Sequence, residues 1–510
     1  MSSLRRFLVV LSLATTSVVA LAEVVDAHGP AGGATSTATD AGGKLTAGSD
    51  HACSVLEGKV YCWGSNGRGQ LGSVTTTALS SNVPVEVTGI STAVTVVAGY
   101  AHTCALLDGG DVWCWGSNEA KQLARATGTT GAPAKVEGIS GASAIGAGNG
   151  HSCALIASTG GVMCWGENGS AFGSLLGRST PNGNVDPDPV PGYVRTLDGN
   201  SGKATKLAVG HRSACVVMEN GTVKCWGENS DGRLGDGTRD ATTDLQDPTT
   251  VLGLTNVVAV TVGYNHACAV VSGGKMWCWG SYFIGQLGND LSLNEGAAWA
   301  ALDNGQRPVE VVAARGSTDK FTDALHVSAG MQFTCATRVN GTAWCWGSNN
   351  QGELGTGGAS NDYILAPVNV AELSDAVVVE AGNSFACAMN LAQVVKCWGM
   401  GGVSAKLGQI GNGTNTEALT PATVTGVVAQ TITFAAPSDK ALGDAAFTVS
   451  ATSSSGGAVS FESTTTSICT VSGSTVTLVG PGTCTISASR AAYGLYKAAD
   501  SVSRSFKVAG

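Results

Sequence analysis

The sequence predicts an all-β protein: seven repeated units, each of about four short strands as in a β-propeller blade, followed by a small β-sandwich. Three observations carry this. The stretch Ala47 to Gly72, AGSDHACSVLEGKVYCWGSNGRGQLG, returns six more times at a spacing of about fifty to sixty-five residues, and such units bury their apolar faces only against neighbours. Every copy holds two cysteines at a spacing that fits a β-hairpin. After residue 429 the tryptophan motif stops, and alternating Ser/Thr/Val strands separated by turn clusters take over.

The hairpin is tested by its register. Folding Ser54-Val55-Leu56 back on Lys59-Val60-Tyr61 through Glu57-Gly58 sets Cys53 opposite Cys62. The next copy has one more residue between its cysteines and a longer glycine-bearing loop, Asp108-Gly109-Gly110, so Cys104 still faces Cys114. The same compensation sets Cys153 against Cys164, Cys215 against Cys225, Cys268 against Cys278 and Cys335 against Cys345. Cys387 faces Cys397 across Leu391-Ala392-Gln393, the one turn without glycine. Directly opposed residues lie about 4.5 or 5.5 Å apart at Cα, within disulfide reach, so each copy is expected to hold one bridge. Zinc is disfavoured because the pairs lack histidines at ligand spacing.

Alternation assigns the faces. Val60, Val112, Val162, Val223, Met276, Ala343 and Val395 share the cysteine face, which is therefore buried. Trp63, Trp115, Trp165, Trp226, Trp279, Trp346 and Trp398 stand on the other face, with small residues such as Ala105, Ala154, Ala269, Ala336 and Ala388 on the partner strand. Large against small, seven times over, reads as packing between successive sheets rather than a sugar-binding surface.

From the start of the chain, residues 1–22 read as a signal peptide: Arg5 and Arg6, an apolar run from Phe7 to Leu21, and a small-x-small cleavage site at Ala20-Leu21-Ala22, with Ala27 as a second option. The apolar run is short and interrupted for a membrane anchor. Residues 23–43 have little to bury and read as a disordered leader. Sixteen cysteines and an export signal both point to an oxidising compartment, secreted or at the cell surface. The net charge of −9, with 28 Lys and Arg unclustered, argues against nucleic acid as a partner.

Between hairpins the copies share a leucine held by glycines: Gly69-Gln70-Leu71-Gly72, Gly232-Arg233-Leu234-Gly235, Gly285-Gln286-Leu287-Gly288 and Gly352-Glu353-Leu354-Gly355, with looser Leu123, Leu176-Gly177 and Leu407-Gly408. Each reads as a tight loop plugged into the core. Proline-led strands such as Val83-Pro84-Val85 follow, then apolar runs such as Thr92 to Val97. A unit of Ala-Gly, His, an apolar strand, a Gly turn, Trp-Gly-Ser-Asn and Gly-Gln-Leu-Gly resembles the regulator-of-chromosome-condensation repeat. That resemblance covers about three-quarters of the chain and implies a seven-bladed β-propeller over residues 44–429. Paired cysteines in every copy are similar to a secreted bacterial branch rather than the intracellular members. The last strand, Pro421 to Thr425, is expected beside the first blade to close the ring.

Residues 430–510 resemble the immunoglobulin-like modules of bacterial surface and secreted proteins. The Ile-Cys-Thr-Val and Gly-Thr-Cys-Thr-Ile elements within that resemblance carry Cys469 and Cys484, which implies an eighth bridge.

His51, His102, His151 and His266 recur two residues before the first cysteine, but Ser213, Phe333 and Phe385 take the same place, so the position reads as packing or a local hydrogen bond. No catalytic set recurs; no cofactor, metal or enzymatic activity is expected, and the mature chain is expected to be a monomer without a transmembrane span. The leading expectation is an exported, non-enzymatic binding scaffold that presents a propeller loop face to an extracellular or cell-surface protein or glycan. The insertions Gly169 to Gly202 and Asn289 to Lys320 lengthen two copies, the second carrying Trp299 as a candidate anchor. The alternatives are a secreted enzyme inhibitor, implied by an exported β-lactamase-inhibiting member of the fold, and a glycan lyase or hydrolase. Guanine-nucleotide exchange, as in the intracellular family, is disfavoured by export and disulfides.

Overall fold

Seven antiparallel four-stranded sheets succeed one another along the chain, each running from an inner to an outer strand in sequence order. The computed structural model describes residues 43–73, 78–128, 130–170, 173–178, 186–239, 247–291, 305–400 and 407–510. The signal peptide, the leader up to residue 42 and Trp299 lie outside the described residues. Among those described there is no α-helix. Gly43 is already part of the fold, since its carbonyl accepts the Val96 N–H.

Blade 1 comprises Leu45–Ala47, His51–Leu56, Lys59–Ser65 and Ser80–Glu86; blade 2 comprises Ala93–Ala98, His102–Leu107, Val112–Gly116 and Thr130–Lys135. Blade 3 takes Ala142–Ala147, His151–Ile156, Gly161–Gly166 and Asp188–Tyr193, and blade 4 takes Ala204–Val209, Ser213–Met218, Val223–Gly227 and Thr249–Thr250. Blade 5 has Val257–Val262, His266–Val271, Met276–Gly280 and Val309–Glu310; blade 6 has Ala324–Ala329, Phe333–Arg338, Ala343–Asn349 and Ser360–Asn369. Blade 7 closes the series with Ala376–Ala381, Phe385–Asn390, Val395–Gly399 and Ala418–Thr423.

In each blade the second and third strands form the hairpin that carries the cysteines. Cys53 pairs in register with Cys62, and the other six pairs match. All seven are bonded, with Cα atoms 4.0 to 4.1 Å apart. This is closer than the usual spacing of an unbridged antiparallel pair. In the glycine-free seventh turn Gln393 adopts a φ of 59°, the left-handed conformation that glycine supplies in other hairpins.

The core is seven joints, each made where the cysteine face of one blade meets the tryptophan face of the next. The first joint gathers Cys53, Val55, Val60 and Cys62 of blade 1 with Val96, Ala105 and Trp115 of blade 2. All seven motif tryptophans have no exposed surface, so none offers a ring to a sugar. The leucine loop of each blade lies under the tryptophan of its successor. Trp115 donates its indole N–H to the Gln70 carbonyl at 2.9 Å, and Trp165, Trp279, Trp346 and Trp398 bond Gln122, Arg233, Gln286 and Glu353 in the same way. Leu71, Leu123, Leu176, Leu234, Leu287 and Leu354 are fully buried beside these bonds.

Two expectations are corrected at the point of closure. The seventh loop is not built on Leu407: fully buried Ile410 takes the leucine's place, and Trp63 of blade 1 donates to the Gln409 carbonyl at 2.9 Å. The last strand does not complete the first blade, because Ala418–Thr423 pairs with Val395–Gly399 in its own sheet and blade 1 has its own outer strand. The ring therefore closes by side-chain packing and loop contacts and not by strand pairing.

Residues 432–509 fold around a separate core. A four-stranded sheet (Lys440–Ala441, Val502–Ala509, Gly482–Ser489, Ser460–Ser463) and a three-stranded one (Phe447–Thr448, Thr475–Leu478, Cys469–Ser472) are bridged by Cys469–Cys484, with Cα atoms 5.7 Å apart. Ile432, Phe434, Val476, Ile486 and Phe506 fill the space between them. All sixteen cysteines are thus bonded.

Candidate functional site: the mouth of the central channel

The inner strands of the seven blades surround a funnel of about 760 Å³. It opens where each inner strand ends in Ala-Gly or Val-Gly. The residue after that glycine is Ser49, Tyr100, Asn149, His211, Tyr264, Met331 and Asn383 in turn, and all seven line the cavity. Six of them reach the next blade through a backbone bond. The Ser49 N–H donates to the Gly99 carbonyl, Tyr100 to Gly148, Asn149 to the His211 carbonyl, His211 to Gly263, Tyr264 to Gly330 and Met331 to Gly382, a belt of bonds from blade to blade. The glycines permit this approach, since a Cβ at Gly99 would stand 2.4 Å from the Gly148 carbonyl oxygen and 2.5 Å from His102. The belt therefore presents five kinds of side chain at seven positions.

The side chains concentrate on one side. His211 stacks on Tyr264 with ring centroids 3.8 Å apart and meets the edge of Tyr100 at 6.4 Å. Tyr100 is 52 % exposed, so this aromatic shelf faces the funnel. Behind it the Arg212 guanidinium lies between Glu167 at 3.4 Å and Glu228 at 3.6 Å. Buried Arg233 pairs with Asp231 at 2.6 Å and Glu228 at 3.6 Å and donates to the Tyr264 carbonyl. Burial first, then the Arg212 and Arg233 charges, hold His211 at about 4, so it is a neutral ring at physiological pH. With Arg239 on Asp231 at 3.6 Å, three guanidiniums meet three carboxylates and leave no excess positive charge for a polyanion. The wall offers flat stacking area and hydrogen bonds, and no group of His, Cys, Asp and Glu among the described residues is placed to hold a metal.

The recurring histidines lie elsewhere, inside the joints. His51 Nε2 is 2.9 Å from Thr103 Oγ1 of the next blade, and that hydroxyl donates to the Gln70 carbonyl at 2.8 Å. A hydroxyl has one proton, so Nε2–H must be the donor to it. His102 with Ser152 and His266 with Thr334 repeat the relay. Phe333 and Phe385 face joints where the next blade has Ala386 and Ala52 at the hydroxyl's position. The third joint breaks the rule: His151 faces Ala214 and has no partner at either ring nitrogen, and Trp226 is the one motif tryptophan with an unpaired indole N–H. Burial holds His51 at about 4 and His102, His151 and His266 at about 3.

Sequence reading of the recurrent positions missed the channel mouth because no one residue type is kept there. The signal was present as variability: Ser-Asp, Tyr-Ala, Asn-Gly, His-Arg, Tyr-Asn, Met-Gln and Asn-Ser follow one invariant glycine. The third strands of blades 3 and 5, after which the two long insertions begin, end opposite the start of the second strands.

Comparison with known proteins agrees with the repeat and the propeller fold. A family model described as the regulator of chromosome condensation (RCC1) repeat matches residues 57–106, 109–155, 220–270 and 340–389, and a second of the same description matches 93–122, 204–233 and 325–353. The human E3 ubiquitin-protein ligase HERC2 is 28% identical over 264 residues, 51% of this chain but only 5% of the ligase. The ultraviolet-B receptor UVR8 of Arabidopsis thaliana is 25% identical over 325 residues, 61% of this chain and 66% of the receptor. The chain thus spans less than two thirds of the length of these relatives. Among solved structures, Prp20p of Saccharomyces cerevisiae superposes with a TM-score of 0.60 at 22% identity, covering 73% of this chain and 87% of that one.

Proposed function

Since the chain carries regulator of chromosome condensation repeats, we propose that it is an exported, non-enzymatic binding scaffold that holds a protein or glycan partner at the mouth of its channel. One observation carries this reading: side chains of five kinds are displayed at seven equivalent positions, each following a glycine, around a funnel of about 760 Å³. Preserved framework with variable tips is how rigid folds carry recognition. The Tyr100, His211 and Tyr264 shelf supplies the rigid aromatic area that anchors partners at low entropic cost. Eight bridges and no free thiol support a life outside the reducing cytosol. The C-terminal module would then keep the ring at a distance from whatever it is attached to.

The test compares the full chain with a Tyr100→Ala, Tyr264→Ala variant against an extracellular glycan array and a cell-surface extract. A ligand retained by the parent and lost by at least tenfold in the variant supports the reading. A ligand bound equally by both moves the site away from the channel, and turnover of a glycan abolished in the variant makes the protein an enzyme.

A further inference from the structure

Six of the seven joints are crossed by the chain itself as it passes from one outer strand to the next inner strand. Each crossing sinks one apolar plug into the joint: Ile90, Ile139, Leu197, Leu254, Phe321 and Leu373, none more than 6 % exposed. Each crossing also folds over the hairpin turn of the blade it leaves. The N–H of Ala93 donates to the Gly58 carbonyl, and Ala142, Ala204, Val257, Ala324 and Ala376 donate to Gly110, Gly160, Gly221, Gly274 and Gly341 in the same manner.

The seventh joint, between blades 7 and 1, is crossed by no chain. The chain leaving blade 7 starts the same crossing, with Val427 partly buried against the joint, but it passes into the C-terminal module instead of a next inner strand, so this joint has neither a fully buried plug nor a covering strand of its own. The vacancy is filled from the C-terminal module. Leu495 and Tyr496, 2 % and 5 % exposed, sit in the core shared by Leu45, Leu56 and Tyr61 of blade 1 and Met389 and Val395 of blade 7. Gly494, at a φ of 56°, lies over the seventh hairpin turn, where a Cβ would stand 3.1 Å from the Gln393 carbonyl oxygen. The Val427 and Val428 N–H groups both donate to the Leu495 carbonyl at 2.8 Å, and the Lys497 N–H returns to the Val428 carbonyl at 2.8 Å.

We propose that the C-terminal module is the clasp of the ring: its Gly494-Leu495-Tyr496 turn replaces the missing seventh crossing, and the closed state of the propeller depends on it. The other six joints have a tether as well as a plug. A joint whose plug arrives from a separately folded module opens whenever that module detaches, so blades 1 and 7 are the natural breach. The module's role as clasp is independent of what the channel mouth binds.

Hydrogen exchange of the full chain under native conditions tests this. In a Leu495→Ala, Tyr496→Ala variant, amides of Leu45–Ala47, His51–Leu56 and Phe385–Asn390 should exchange at least tenfold faster, with Val257–Val262 and His266–Val271 unchanged. Leu254→Ala, which thins the plug of a tethered joint, should accelerate exchange only around blades 4 and 5, and by a smaller factor. The milder Gly494→Val, which lifts the turn off Gln393 without removing apolar area, should reproduce the pattern at blades 1 and 7 and decides the matter if the double variant does not fold. Unchanged exchange in blades 1 and 7, or an equal rise in all seven blades, overturns the proposal.

Discussion

The relay between His51 and Thr103 allows a double-mutant cycle whose outcome follows from the joint's geometry. Thr103→Ala removes a hydroxyl that accepts from His51 at 2.9 Å and donates to Gln70 at 2.8 Å. Each of the two bonds is worth about 1 kcal/mol net, and a buried ring N–H left without a partner adds about 1 to 3 kcal/mol, so the single variant should cost roughly 3 to 5 kcal/mol. His51→Phe leaves the hydroxyl still donating to Gln70 and should cost about 1 kcal/mol. The double variant recreates the composition of the seventh joint, where buried Phe385 meets Ala52. With nothing polar left unpaired, its cost should fall below the sum of the singles by about 1 to 2 kcal/mol. Guanidinium unfolding with the disulfides intact measures all four corners. The converse change, Ala214→Ser, offers His151 the partner it lacks and should raise stability by about 1 kcal/mol. Additivity of the two singles within about 0.5 kcal/mol would refute the relay, because uncoupled sites add.

Two further outcomes are expected. Six histidines are held below 6.5 by burial, at about 4 for His51, His211 and His326 and about 3 for His102, His151 and His266. The unfolded chain therefore takes up protons that the fold resists, and stability should fall as pH drops from 6.5 toward 3. Glu380 behaves oppositely: burial raises it to about 8, so the folded carboxyl keeps a proton that the unfolded one loses. Stability should thus also decline from pH 6.5 to 8, by roughly 2 kcal/mol, and Glu380→Gln should flatten that limb in a pH series of unfolding curves. Replacing Cys215 and Cys225 together by Ala should cost about 2 to 3 kcal/mol from loop entropy, and peptide mapping of the unreduced parent should recover eight local bridges.

The sequence by itself determined everything that depends on neighbours along the chain. Cysteine spacing rose and fell with loop length, so the register of every hairpin, and with it the cysteine face and the tryptophan face, could be read by counting. Where a histidine has a hydroxyl partner, that hydroxyl sits one residue before the first cysteine of the next copy, and both phenylalanines meet an alanine there; His151, which also meets an alanine, is the exception. Ring closure was not readable in this way. Ile410 rather than Leu407 fills the seventh loop, where it meets a tryptophan more than three hundred residues earlier, and Ala418–Thr423 stays in its own sheet beside Val395–Gly399. The channel mouth likewise exists only when seven unrelated side chains are brought around one axis. Leu495 and Tyr496 look in the sequence like two apolar residues of a small module; only the tertiary structure shows that they stand where a chain crossing would be, since a ring needs seven joints and a linear chain supplies six crossings.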